Sequence, residues 1–282
     1  MAETRDLGPL PNYERPPVIE TVLGVQFDRL PRFKNAHLGG FWKTLSQEEW
    51  PTVTDAPALP TQVERFDAGA QWAAGLRLQL TGDPSCRLRI SNDKGDRMIQ
   101  LQNNRLHFNW LGQGRQDYPR YPKVRKGFVS VLDRFTRFII DEDLGEFRPD
   151  QWEVTYVNQI PQGTVWTTPA DWGFFRPLAG VPTVEGVIEG ESFSGQWHFV
   201  IPGQRGRLHI AWEHGKGQRE GKDESPPEFV RLTLTARGAI TGKADGTRPI
   251  LDGLNLGHET IVRSFGTLMS NDANAYWGLK HG

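Results

Sequence analysis

Three histidines, His107, His198 and His209, fall in segments that read as neighbouring strands. Imidazoles converging from three strands onto one sheet face would make a metal site of the open, catalytic kind. No carboxylate on those strands completes a ligand set, and sheet histidines beside aromatic residues are far more often ordinary polar-face residues. His258-Glu259 opens the His-Glu-x-x-His spacing with which a helix presents two zinc ligands, but residue 262 is Val where the second histidine would stand. Glycine-lysine pairs at 215–217, 221–222 and 242–243 lack both the spacing and the Ser or Thr of a phosphate-binding loop. Cys86, the sole cysteine, lies inside a strand with no histidine beside it in sequence, and no Gly-x-Ser-x-Gly elbow occurs. The residues therefore assign no catalytic group, no metal ligand and no cofactor, and the balance leans away from an enzyme.

The stretch from 115 to 126 is different. Arg115, Arg120, Lys123, Arg125 and Lys126 are interleaved with Tyr118 and Tyr121, and Arg134 and Arg137 follow. Cations neutralise phosphates and aromatic rings stack on bases, so this segment is the candidate anion or nucleic-acid site. A solvated helix start would explain the same charges, and Asp117 and Asp133 dilute them.

These groups need a scaffold, and the chain has the length for one. At 282 residues it favours two domains or one large pseudo-symmetric one. With 33 basic and 34 acidic residues the formal charge is −1, so no global field draws it to nucleic acid or membrane. A single cysteine excludes an internal disulfide and suits a reducing cytoplasm. The polar first residues and the absence of any 18-residue apolar run argue against a secretory signal and a membrane span. Ten tryptophans with 31 glycines and 20 prolines indicate a turn-rich sheet protein.

Hydrophobic periodicity then orders the elements. Residues 1–16 form a proline-punctuated extended arm expected to fray. Period-two alternation marks a strand at 18–27, and three-to-four spacing marks a helix over 33–45 that Gly39 and Gly40 weaken. A loop at 51–60 precedes strands at 76–80, 88–90, 98–102 and 106–111, the last two joined across Asn103-Asn104. The best helix follows at 123–141, with Val124, Phe128, Val131, Leu132, Phe135, Phe138 and Ile139 on one stripe. The order then restarts: a strand at 152–160, a weak insert at 169–178, strands at 184–188, 193–201, 207–212 and 229–236, and a helix at 254–269. The reading is an α+β protein of two tandem antiparallel-sheet units, pseudo-duplicated as strand, helix, four strands, helix, over 17–142 and 151–271. The segment 213–228, rich in Gly, Lys, Glu and Asp, reads as a long hairpin tip suited to partner contacts. Arg105-Leu106-His107 and Arg207-Leu208-His209 echo one another, each placing Leu on one strand face and Arg and His on the other.

The opening 16–22, the central Trp152-Glu153-Val154-Thr155-Tyr156-Val157-Asn158-Gln159-Ile160 and the closing 251–268 with His258-Glu259 together resemble a sporadically distributed, uncharacterised family of bacterial proteins of about this length. The resemblance spans nearly the whole chain but implies no catalytic residue; patchy distribution implies genes that travel with mobile elements or antiviral defence loci. At the level of fold alone, the element order is similar to the saddle-like halves of TATA-binding protein and to helix-grip ligand cavities. The resulting expectation is a cytoplasmic, non-enzymatic binding or interaction protein, a component of a defence or regulatory complex, whose partner is another protein. One alternative is a nucleic-acid-binding module working through 115–137; another is a small-ligand sensor or metal-dependent enzyme with a cavity between sheet and helix. The residues leave oligomeric state open.

Overall fold

Alternation makes the first strand. Between Pro17 and the Asp28 turn, every second residue is apolar, and the ten residues extend accordingly. The computed structural model describes residues 8–66, 86–112, 118–180, 188, 190–217, 227–240 and 246–280. In chain order these form β1 (Asn12–Tyr13), β2 (Val18–Phe27), α1 (Asn35–Lys43), β3 (Thr52–Pro57), β4 (Cys86–Ser91), β5 (Arg97–Gln102), β6 (Arg105–Leu111) and α2 (Tyr121–Asp141). They continue with β7 (Pro149–Pro161), short 3-10 turns within 169–178, β8 (Ser194–Ile201), β9 (Gly206–Lys216), β10 (Glu228–Ala239), α3 (Arg248–Leu268), α4 (Asn271–Tyr276) and β11 (Leu279–Lys280).

The molecule is α+β, built on one antiparallel sheet of nine strands in the order β3-β4-β5-β6-β2-β7-β10-β9-β8. The sheet runs unbroken through its centre, where β2 pairs with β7, Leu23 opposite Val154 and Gly24 opposite Glu153. The two portions thus meet edge to edge and not back to back. The loop expected at 51–60 contains the edge strand β3, whose Asp55 and Pro57 discourage further pairing. The expected strand at 76–80 lies outside the described residues, as does most of that at 184–188.

One face of the sheet is apolar. Leu23, Val25, Phe108, Val154, Leu234 and Ile210 are all at most 2% exposed, and α2 and α3 cover them. The α2 stripe sinks Phe128, Leu132 and Phe135 completely. Each such side chain contributes about 1.5–3 kcal/mol by leaving water, which outweighs the poor intrinsic helix propensity of its aromatic residues. Gly127 lets α2 come close, since a Cβ there would stand 2.5 Å from the Phe108 ring. The opposite face carries the alternate residues of the same strands, and among the described residues no helix lies against it.

The arm is not wholly frayed. Its second half docks, because Asn12 and Tyr13 pair with Lys280 and Leu279, and the Tyr13 hydroxyl donates to Asn274 Oδ1 at 2.8 Å. No helix among the described residues is long and apolar enough to cross a membrane.

Candidate functional site: a basic groove beside the long helix

The start of α2 is set by Pro122, which costs nothing in the first helical turn. Arg120, just before it, adopts φ +72°, a conformation that strains a residue with a Cβ. Its guanidinium holds the strained turn by donating to the Glu14 carbonyl at 3.1 Å and lies 5.8 Å from the Tyr118 ring. From this anchor the first three turns of α2, the β5 and β6 strands and the segment 45–50 enclose a groove of about 890 Å³.

Three of the five sequence candidates, Arg120, Lys123 and Lys126, line this groove, and Arg134 joins them further along the helix. Lys123 and Lys126 are exposed, with no ion-pair partner among the described residues. The groove also holds two carboxylates, Glu49 and Asp96, 2.9 and 3.7 Å from Arg97, whose single charge offsets one of the two. Trp50, Trp110 and Tyr118 supply apolar wall. Arg125 points elsewhere: it is half-buried, and its Nε has no hydrogen-bond partner. Helical geometry explains the split, since positions 123 and 126 share a face that 125 does not. Arg115 lies outside the described residues.

On the other flank of Arg120, between sheet and helices, a second pocket of about 290 Å³ is closed over by Leu10 to Pro16 of the arm. Tyr118 donates to the Tyr156 hydroxyl at 2.9 Å, and Tyr156 bonds His258 Nδ1 at 2.8 Å. The His258 ring stacks on Tyr121 with centroids 3.9 Å apart. Burial pushes His258 down to about 4 and raises both Tyr118 and Tyr156, so the chain of three is neutral at ordinary pH. His258 is thus a half-buried partner of two tyrosines. Tyr118 and Tyr121 belong to the basic stretch read from sequence; that Tyr156 and His258 would join them across the sheet no motif marked.

The histidine-bearing strands converge only in part. His198 and His209 are direct cross-strand neighbours with Nδ1 atoms 2.8 Å apart, one donating and one accepting. His107 sits on β6, four strand positions from β9, which is about 19 Å at the usual spacing. Among the described residues no group of three His, Cys, Asp or Glu side chains could hold a metal ion. The face opposite α2 and α3 instead carries an ionic row that no sequence motif announced. His107, Gly24, Glu153, Arg237 and Arg207 stand opposite one another across β6, β2, β7, β10 and β9. His107 reaches over Gly24, where a Cβ would clash with its Cδ2, and ends 3.6 Å from Glu153. Residues 59–64 cross this face as a strap. Its Glu64 accepts from Arg207 at 2.8 Å and contacts His209 at 2.6 Å, and Gln62 meets Gln26, Gln151 and Arg237. The Arg and His alternation within β6 and β9 was the available signal; that a carboxylate would arrive from a strap far away in sequence was not.

Fold and site together define an antiparallel-sheet α+β protein with a cationic groove along one helix. Comparison with protein-family models, with curated proteins and with solved structures gives no match to this chain.

Proposed function

We propose that this is a non-enzymatic binding protein that holds an extended anionic polymer, single-stranded nucleic acid, in the groove beside α2. The observation that carries the reading is the groove's charge: Arg97 offsets one of the two carboxylates, Glu49 and Asp96, and Arg120, Lys123, Lys126 and Arg134 outweigh the other, with Lys123 and Lys126 in no ion pair among the described residues. Cations tracking a backbone beside aromatic wall are the requirements for gripping a strand without reading its bases. The test is fluorescence anisotropy with a labelled oligonucleotide over a salt series. Affinity is expected to fall with salt, and the Lys123→Ala, Lys126→Ala double variant is expected to flatten the slope of log K against log salt by about 1.4, or 0.7 for each phosphate no longer neutralised. Binding that is absent at low salt, or a slope unchanged in the variant, removes the nucleic-acid reading. An acidic peptide that binds the groove where the oligonucleotide does not would favour a protein partner.

That partner reading rests otherwise on the 213–228 tip, of which 218–226 lie outside the described residues. A place in a bacterial defence or regulatory complex, and a cytoplasmic one, rest on family resemblance and composition. The reading of an internal duplication draws support from strand order: β6 lies beside β2, β10 lies beside β7, each precedes a long helix, and the two opening strands pair with each other. A small-ligand reading is favoured by the pocket over Tyr118, Tyr156 and His258. A phenolic probe would be expected to raise the melting temperature of the wild type and not of Tyr156→Leu, and equal shifts in both would dismiss it.

A further inference from the structure

We infer that the face of the sheet opposite α2 and α3 carries a binding site for a small dianionic oxyanion, a phosphate or phosphate monoester, held by the Arg87 and Arg105 guanidiniums. The inference is independent of the groove, to which neither arginine belongs.

Buried charges in proteins are paired, because taking an ion from water is strongly unfavourable without a counter-ion. Arg87 and Arg105 are 8% and 4% exposed. Neither has a carboxylate within ion-pair distance among the described residues, and the Nε of each lacks any hydrogen-bond partner. Their remaining bonds go to neutral acceptors: Arg87 donates to Gln100 Oε1 at 2.8 Å, and Arg105 donates to Gln26 Oε1 and, at 3.2 Å, to the Pro60 carbonyl. Glu64 serves Arg207, His209 and Arg237, and Glu153 lies 3.6 Å from Arg237. Glu153 and Asp150 act on the Arg105 charge from a distance, without forming an ion pair with it.

The two arginines are also well placed to share one ligand. Arg87 and Arg105 point from the same sheet face on β4 and β6, two strand spacings or about 9.5 Å apart at the backbone, and their long side chains can close on a group between them. His107, two residues beyond Arg105 on the same face, is 4% exposed, and its Nε2 has no hydrogen-bond partner. That nitrogen turns away over Gly24 toward Glu153, and burial keeps the ring neutral, down at about 4, with the Glu153 charge opposing, so His107 adds no charge to the pair. A phosphate monoester carries close to two negative charges at neutral pH and several acceptor oxygens, which matches two guanidiniums better than a carboxylate or a halide does. The strap is the segment among the described residues that crosses Arg105, its Pro60 carbonyl accepting from that side chain. Among the described residues its hydrogen bonds to the sheet involve side chains, as where Leu59 exchanges two bonds with the Gln102 amide.

The experiment is thermal unfolding of the whole chain in sodium phosphate against sodium chloride at matched ionic strength, with a ribose 5-phosphate arm. Saturating ligand at about 100 times its Kd is expected to raise the melting temperature by roughly 5–10 °C for a chain of this size. A larger response to the ester than to inorganic phosphate identifies a monoester as the natural occupant; equal responses identify the free ion. Arg87→Met keeps the aliphatic stem and removes one uncompensated charge. It is expected to be at least as stable as wild type in chloride while binding phosphate about 10–100-fold more weakly. No wild-type response beyond that to chloride overturns the proposal, and this arm decides even if the variant fails to fold. A phosphate response undiminished in a folded Arg87→Met overturns it equally.

Discussion

Trp152→Ala is expected to lower the free energy of unfolding by about 3–5 kcal/mol, the range for deleting a buried aromatic side chain. The residue is 2% exposed and lies in a slot that four glycines keep open. A Cβ at Gly206, Gly238 or Gly257 would stand 3.1, 2.6 or 2.8 Å from the indole, and one at Gly253 would overlap it outright. Two of these glycines sit on β9 and β10 and two on α3, so the ring joins helix to sheet where β7 meets β10. The converse substitution separates packing from propensity. In a free helix Gly253→Ala would stabilise by about 0.8–1 kcal/mol. Here overpacking against Trp152 is expected to cost about 1–3 kcal/mol, leaving a net loss. Urea unfolding of both variants measures this; a more stable Gly253→Ala would show that the indole is not confined by the helix.

Glu64→Ala is expected to cost about 3–5 kcal/mol, because it removes the one carboxylate that Arg207, His209 and Arg237 share in a nearly dry setting. The Glu64 carboxyl is 7% exposed and contacts His209 at 2.6 Å, Arg207 at 2.8 Å and Arg237 at 3.2 Å. Burial pushes its pKa up, but hydrogen bonds from His209 and Arg207 and the charges of His209 and Arg237 outweigh it and hold the group down at about 2. A carboxyl whose folded pKa lies below its unfolded one stabilises above the unfolded value, and that stability fades as pH falls toward the folded one. The fall from 4.5 to about 2 corresponds to about 3 kcal/mol, present at neutral pH and lost between roughly pH 5 and 2. In Glu64→Gln the acid limb of the stability profile should shrink by that amount. Unfolding curves at pH 7 and pH 3 test this, and a pH dependence identical to wild type would refute the assignment.

The strongly periodic elements were legible from sequence. The strand at 18–27 and the helix at 123–141 are where alternation and the apolar stripe put them, since each buries one face against a continuous core. The edge strand β3 was not, because Pro51, Pro57 and Pro60 read as loop and its residues are largely exposed. The α4 turn after α3 is six residues long, too short for a period to register. Of the basic stretch, helical phase separates Lys123 and Lys126 from Arg125. The glycines around Trp152 and the unmatched Arg87 and Arg105 were invisible to any local pattern. Their meaning comes from which strands become neighbours, a property of topology.

The seam between β2 and β7 has a consequence for biosynthesis. At about 5–20 residues per second, a ribosome that has made β2 needs roughly 7–27 s more to complete β7. Throughout that interval β2 has one unpaired flank, with Leu23, Val25 and Phe27 shielded at best by α2. That edge stays open to mispairing with another nascent chain until past the midpoint of translation, because β7 ends at Pro161.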